Sequence, residues 1–386
     1  MGRILSVCAT VVLCGSVASP AAGQSMMHRT AHHDYRLVTV AEGLVQPWSI
    51  ASLPGGDLLV TEKPGRLRII RNGRLLPDPV PGVPAVHADG QAGLFDVVPH
   101  PDFASNRLLY VSFAKPLGSG ASTTVVVRGR FENDRVSNVQ ELFEANSRGR
   151  GHYGARLAFD DDGYLFISVG DRQAPSTGDL EAHPAQDLTN HHGSIIRLHD
   201  DGRVPADNPM VGRTGALPEI WSYGHRNEQG LAIHPETGDV WITEHGPQGG
   251  DELNLILPGR NYGWPVVGRG VNYGDGSPIH ATIGRENMEP PVHFWVPSIA
   301  TSGLMVYDGD AFPEWRGSIF AGGMAGEQLA RLEMNGHEVV VEETVLHGVG
   351  RIRDVRQGLD GYIYLAIDDR DGAPTPVLRM EPVPAS

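Results

Sequence analysis

Three stretches of the chain carry residue types and spacings that suit chemistry. The first is "TEHGPQGGDELN", residues 243–254, where Glu244, His245, Asp251 and Glu252 flank a glycine-rich turn. A zinc site would want His or Cys ligands in an HxxxH-like arrangement, and His245 has no such partner nearby. An EF-hand would want oxygen ligands at alternate positions of its loop, and the spacing here fails. Calcium also takes backbone carbonyls, and Gly246-Pro247 bends the chain so that carbonyls can face one way; that option stays open. The second stretch is "GHYGARLAFDDDGYLFISVGDR", residues 151–172. It sets His152 among glycines just before a strand, where an imidazole can serve as general base near neutral pH. Asp171 follows the second strand of the same hairpin and can return to the end that holds His152, forming a base–carboxylate pair. With 17 histidines in the chain, a packed or exposed histidine is the plainer reading of His152 taken alone.

The third group is arginine. Arg226 lies in "WSYGHRNEQGLAIHP", and Arg351 and Arg353 form "GRIRDV". Strand alternation puts Arg351 and Arg353 on one face. Two like charges there want solvent, a nearby carboxylate such as Asp354 or Asp360, or an anionic ligand that guanidinium binds bidentately. Gln91, among glycines in "HADGQAGLFDVVPHPDF", reads by itself as a turn residue.

What positions these groups is a repeat. A turn followed by a short strand recurs in "GGDLLVTE" (55–62), "SNRLLYVSF" (105–113), "DGYLFISVGD" (162–171), "TGDVWITEHG" (237–246), "RGSIFAGGM" (316–324) and "DGYIYLAIDD" (360–369). Gly, or Asn with Asp, supplies the turn, and β-branched and aromatic residues follow as a buried strand. Other strand candidates lie between the copies, including "GRLRII" (65–70), "TTVVVRGRF" (123–131), "GSIIRLHDDG" (193–202) and "LARLEMNG" (329–336), and long helical periodicity is absent. The fold expected is all-β, a six-bladed β-propeller of four-stranded antiparallel blades. An array of β-sandwiches is the competing architecture. Uneven intervals between copies fit long inserted loops, chiefly in 245–310. Residues 36–41 and 375–380 can pair in one blade and close the ring, making 36–382 one domain. In a propeller, ligand groups gather where loops of several blades meet at the central channel.

Composition narrows the function. The 386 residues include 49 Gly and 29 Pro, as a turn-dense fold needs, and the net charge of −15 argues against nucleic acid. Residues 1–23 read as a cleaved signal peptide, with Arg3, an apolar run from Ile4 to about Val17, and Ala21-Ala22-Gly23 as cleavage site. An uncleaved anchor is the alternative, but the run is short for a membrane span and no comparable one follows. Both cysteines, Cys8 and Cys14, fall inside it, so the mature chain has neither disulfide nor cysteine metal site. A periplasmic or secreted protein without stable membrane insertion is expected, with 24–35 as linker and 383–386 as tail.

The motifs "GLFDVVPHPDF", "GARLAFDDDGYLFISVGD", "GHRNEQGLA", "EHGPQGGDELN", "GRNYGWP" and "RIRDVRQGLDGYIYL" occur together and in order. Over about residues 36–382 the chain resembles the glucose/sorbosone dehydrogenase family, the soluble sugar dehydrogenases that use pyrroloquinoline quinone (PQQ), and within it the aldose sugar dehydrogenase branch. The resemblance implies a six-bladed propeller, as the repeats do. It implies oxidation of an aldose at C1 to the lactone, with His152 taking the proton of the anomeric hydroxyl and Asp171 orienting that histidine. Gln91, Arg226, Asn227, Arg351 and Arg353 match residues that hold PQQ. Gly246 and Pro247 match the pair whose carbonyls bind a calcium ion at the cofactor, and Glu252 with the Tyr262 carbonyl matches a second, structural calcium site. The electron acceptor implied is a quinone or a small periplasmic redox protein.

The chain also departs from that pattern. Glucose-specific members carry a lysine on the cofactor in the region matching "GGMAGEQ" (322–328), where this chain has none and Ala325 is the counterpart. His245 stands where those members have glutamine, and is open to a cofactor-facing or a packing role. Arg172, following Asp171, is a candidate to replace the missing lysine. Selectivity for one aldose is expected in loop shape, including 265–300 with Trp295. A calcium-dependent lactonase would want a cage of carboxylates and no arginine cluster. In a non-catalytic binding propeller His152 and the arginines would be incidental.

Overall fold

The computed structural model describes residues 27–383. The segment read as a signal peptide, with Cys8 and Cys14, lies outside the described residues. Six antiparallel sheets follow one another along the chain, five of four strands and one of five. They are the blades of a propeller, and the sandwich array is excluded. The innermost strands are Pro47–Ser52, Leu94–Pro99, Leu157–Phe159, Glu228–Ile233, Thr301–Val306 and Arg351–Gln357.

Each of the six repeated turn–strand copies forms the second strand of its blade, and its aligned residue (Leu58, Leu109, Leu165, Val240, Ile319 or Ile363) is buried. The repeat is legible because every blade hides the same position against its neighbour. A left-handed residue precedes most of these strands: Gly163, Gly238, Gly317 and Gly361 at φ between 74° and 81°. In the second copy the left-handed residue is Arg107 at φ 60°, not Asn106, whose side chain instead accepts from the Leu108 N–H at 2.9 Å.

The core is divided rather than central. Leu59 and Leu67 of the first blade pack with Leu94, Leu109 and Val125 of the second, and Met305 and Phe320 of the fifth pack with Ile352, Val355 and Ile363 of the sixth. Equivalent clusters fill the other four seams. Ring closure is therefore what buries the last two faces. It is made by Asp34–Val45 pairing with Pro374–Pro382, with Leu37 opposite Met380 and Thr39 opposite Leu378. The N-terminal strand is thus the outer strand of the blade that the C-terminus completes. Within the stretch assigned to a linker, Met27–Arg29 adds a short fifth strand against Asp34–Arg36. It satisfies the backbone of an otherwise open edge.

A buried ionic knot ties the innermost strands. Arg156 donates to Asp354 at 2.8 Å, to the Gln229 carbonyl at 2.7 Å and to the Arg353 carbonyl at 3.1 Å. Arg356 bridges Asp354 and Asp96, both at 3.0 Å, and the Arg156 guanidinium lies 4.0 Å from the Trp48 ring centre. The second, third, fourth and sixth blades meet here through charge and hydrogen bonds, and Trp48 adds the first.

Candidate active site

Each blade sends the start of its first strand and the end of its second toward the same end of the channel. There they enclose a cavity of about 680 Å³. Gln91, His152, Asp171, Arg226, Asn227, Arg351 and Arg353 all line it. Residues spread over more than 260 positions of sequence thus reach one space because six strand ends converge.

His152 and Asp171 are in contact, with Nδ1 2.6 Å from Oδ1. The second carboxylate oxygen of Asp171 accepts from the Trp264 indole N–H at 2.7 Å, and Oδ1 also accepts from the Gln173 backbone N–H at 2.9 Å. Burial lowers the His152 pKa below the ordinary imidazole value, outweighing the opposite pull of Asp171. Burial alone would raise Asp171, but the charge and hydrogen bond of His152, and then Arg226, hold it below the usual carboxylate value. The pair at neutral pH is a carboxylate and a neutral imidazole. The shared proton then sits on Nδ1, and the lone pair is on Nε2, which has no hydrogen-bond partner among the described residues.

The loop that presents His152 is strained. His152, Ala155, Arg172 and Gln173 all adopt positive φ, between 42° and 71°. Each costs about 1 kcal/mol or more for a side chain with a Cβ. The Gln91 side chain holds His152 by accepting its backbone N–H at 2.8 Å, so Gln91 is a loop anchor as well as a cavity residue. Gly170 lets the strand end approach, since a Cβ there would lie 2.4 Å from the His152 carbonyl oxygen.

Arg172 does not replace a cofactor lysine. Its guanidinium turns away from the cavity to the carbonyls of Ser122, Gly149 and Gly151 and stacks 3.6 Å from the Tyr153 ring centre. It braces the His152 loop from behind. His245 lines the cavity while its Nε2 binds the Thr301 carbonyl at 2.6 Å, and burial takes its pKa down to about 4, so it is neutral.

Neither Asp354 nor Asp360 is the carboxylate of the arginine pair. Asp354 belongs to the ionic knot and Asp360 bonds the Tyr364 hydroxyl. Arg351 and Arg353 instead share Asp368, at 3.5 and 3.7 Å. Arg353 is desolvated enough that its pKa falls to about 10. Arg226 donates to the His245 carbonyl at 3.0 Å and lies over Trp264, and Gln229 links Asn227 to Arg353. The Nε atoms of Arg226 and Arg351 are buried without a hydrogen-bond partner. Arg351 Nε still faces Asp368 at ion-pair distance, so Arg226 Nε is the donor left open, and a buried donor of that kind suits an anionic ligand.

The four calcium candidates lie together, but apart from the cavity. Gly246, Pro247, Glu252 and Tyr262 line a separate small pocket, and Arg226, His245 and Trp264 border both spaces. Two of the acidic side chains of 243–254 are already committed. Glu244 accepts from His225, Asn254 and the Arg226 N–H, and Asp251 accepts from Ser298 and the Gly246 N–H. Glu252 has Asn254 as its only hydrogen-bond partner among the described residues, and burial with Glu244 pushes its pKa up to about 8. Arg269 lines the same pocket and supplies a competing positive charge. The Pro247 carbonyl accepts from the Val271 N–H at 3.0 Å. Among the described residues no cluster of three or more His, Cys, Asp or Glu side chains has metal-holding geometry.

Three cavity residues carry little sequence signal. Trp264 sits in "GRNYGWP", which shows a turn but not the indole contact with Asp171. Lys63 and Asp368 look like ordinary residues of a hairpin end.

Comparison with known proteins identifies the family. A family model described as Glucose / Sorbosone dehydrogenase matches residues 44–379. Aldose sugar dehydrogenase YliI of Escherichia coli strain K12 is 40% identical over 347 residues, 88% of this chain and 91% of that protein. The apo crystal structure of the soluble E. coli aldose sugar dehydrogenase superimposes with a TM-score of 0.84 at 38% identity, over 90% of this chain and 100% of that one. The PQQ-bound aldose sugar dehydrogenase of Streptomyces coelicolor gives 0.72 at 29% identity, over 90% and 98%.

Proposed function

The chain belongs to the glucose/sorbosone dehydrogenase family, and from that premise we propose that it oxidises aldose sugars at C1 to the lactone with PQQ as cofactor. The observation that carries this reading is the convergence of Arg226, Arg351 and Arg353 with the His152–Asp171 pair in one cavity of an acidic protein. PQQ is a tricarboxylate, and its ortho-quinone accepts the hydride in such an oxidation. Everything else is asked of the protein. Arg226, Arg351 and Arg353 bind carboxylates, with Gln91 and Asn227 as neutral partners. His152 Nε2 takes the proton of the anomeric hydroxyl as C1 gives up its hydride. Asp171 keeps the proton of the resting imidazole on Nδ1 and stabilises the imidazolium that forms. Trp264 fixes the Asp171 carboxylate in that orientation.

Calcium is part of the same proposal. The oxygen donors at Glu252 and Tyr262 suit a hard cation, and a carboxyl as poorly partnered as Glu252 gains most from one. Gly246 and Pro247 supply the carbonyls for a cofactor-side ion. Their fit is poorer, because they face the small pocket and Pro247 already holds Val271. Export to the periplasm through residues 1–23 and reoxidation by a quinone or small redox protein complete the reading. Among the described residues no helix is long and apolar enough to cross a membrane.

Reconstitution tests it. Purified protein given PQQ and calcium should reduce an artificial electron-accepting dye with glucose or another aldose, and chelation should weaken cofactor binding. No turnover with any aldose, and no change in the cofactor spectrum, would sink the proposal.

A further inference from the structure

Lys63 stands out among the cations of the cavity. It follows the second strand of the first blade, Leu58–Glu62, and lines the same space as His152, Arg351 and Arg353. Its backbone is clamped: its N–H donates to the Gln46 carbonyl at 3.0 Å and its carbonyl accepts the Leu94 N–H at 3.0 Å. Gly93 makes that approach possible, because a Cβ there would lie 2.2 Å from the Lys63 carbonyl oxygen. The side chain makes one bond, from Nζ to the Gly90 carbonyl at 2.9 Å, beside Gln91.

Lys63 also lacks the partners that the arginines have. Arg351 and Arg353 share Asp368, and Arg226 is engaged by a carbonyl and an indole face. Lys63 forms no ion pair among the described residues. Arg370 adds a further cation at the exposed rim. Asp171 and Asp368 are the carboxylates of the wall, so the cations outnumber them. Burial and the nearby Arg353 both depress the Lys63 pKa, against smaller opposite pulls from Asp368 and Asp89, neither of which reaches ion-pair distance. A half-buried ammonium with two donors free of protein partners, set among other cations, is placed to receive an anion.

Resting on the reading of the cavity as a PQQ site, we propose that Lys63 is a cofactor-binding residue, its ammonium pairing with a carboxylate or quinone oxygen of the bound PQQ. It would supply from the first blade the cationic contact that Ala325 does not supply from the fifth. The apoprotein holds Lys63 in place through its backbone and leaves its charge unsatisfied.

The test is direct binding of PQQ to the full-length protein, by calorimetry or cofactor fluorescence, alongside the melting temperature of the apoprotein. Lys63→Gln should weaken PQQ about tenfold or more, the size of one charge-assisted contact. It should make the affinity less dependent on salt. Lys63→Arg should restore most of the loss. The melting temperature of the Lys63→Gln apoprotein should be unchanged or higher, which a merely structural lysine would not allow. Equal affinity and equal salt dependence in wild type and Lys63→Gln overturn the role of Lys63 alone. A wild type that binds no PQQ overturns the cofactor reading itself, and the Lys63 proposal with it.

Discussion

His152 donates through Nδ1 to Asp171 at 2.6 Å, and the far oxygen of that carboxylate is tied to Trp264 at 2.7 Å. The chain reaches this arrangement at a cost, since His152 is held at φ 42° by Gln91 and by a guanidinium brace behind it. Backbone strain of this kind persists only where the surroundings over-determine it. Here they fix one imidazole nitrogen and leave the other facing the cavity.

Substituting the two residues should separate base from orienter. His152→Ala should leave PQQ binding within a few-fold and abolish turnover. Asp171→Asn keeps the size of the side chain but lets the imidazole take the wrong tautomer; kcat should fall by about 10²–10⁴. Steady-state kinetics with separately measured cofactor affinity distinguishes the two effects. Near-normal turnover in His152→Ala would remove it as the base.

The pH profile follows from the same burial. A general base must be unprotonated, and burial shifts His152 below its ordinary value of 6.5. Turnover should therefore be flat through neutral pH and fall only in acid, with an apparent pKa under 6.5. Asp171 pulls the imidazole pKa upward, so in Asp171→Asn the acid limb should move to still lower pH. An acid limb centred above pH 7 in the wild type would contradict this assignment.

Asp368 offers a test in which stability and affinity move in opposite directions. It is the carboxylate shared by Arg351 and Arg353, whose side chains are 18 and 15% exposed. Asp368→Asn leaves two desolvated guanidinium groups side by side, a loss on the order of 3 kcal/mol for the apoprotein. The cavity becomes more positive, so a tricarboxylate should bind at least as tightly. The rise in melting temperature on adding PQQ should be larger than in wild type. Weaker PQQ binding with an unchanged apo melting temperature would show that Asp368 itself contacts the cofactor.

Much of this was legible in the sequence because of periodicity. Every blade buries the same strand position, so Leu58, Leu109, Leu165, Val240, Ile319 and Ile363 announce six blades, and the terminal segments 36–41 and 375–380 announce the closure. His152, Asp171 and the arginines stood out because glycine-flanked histidine and same-face arginine are unusual patterns. Partner identities were not legible. Arg351 and Arg353 meet Asp368 across neighbouring strands rather than the adjacent Asp354, because adjacent residues point to opposite faces of a strand. Arg172 follows Asp171 directly but sits past the strand end in a turn with left-handed backbone, φ 59°, which sends its side chain away from the cavity. Asp251 and Glu244 looked like metal ligands until their hydrogen bonds to Ser298, His225 and backbone N–H groups accounted for them. Lys63 carried no signal, since its setting depends on Gly93 of the next blade.

Glu228 provides a prediction about stability that is independent of the cofactor. It opens the innermost strand of the fourth blade, is fully buried, and neither carboxyl oxygen has a hydrogen-bond partner among the described residues. Its register partner is Glu244. Burial first, and then the charge of Glu244, raise its pKa well above the ordinary 4.5, so the folded protein keeps Glu228 protonated at pH values where the unfolded chain has lost that proton. The unfolded chain ionises it near 4.5, so between that value and the folded pKa the native state binds a proton that the unfolded state has lost. Stability therefore falls as pH rises through this window, by about 1.4 kcal/mol per pH unit for one such group. Glu228→Gln is neutral at every pH and removes that slope. The variant should differ little from wild type near pH 4.5 and gain on it as the pH rises above that value, by a few degrees or more in melting temperature. Thermal melts of both proteins across that range measure it, with each curve taken relative to its own value at the acid end. A gap that fails to widen with pH would mean that Glu228 is ionised in the native state, held by a cation or water bound against it.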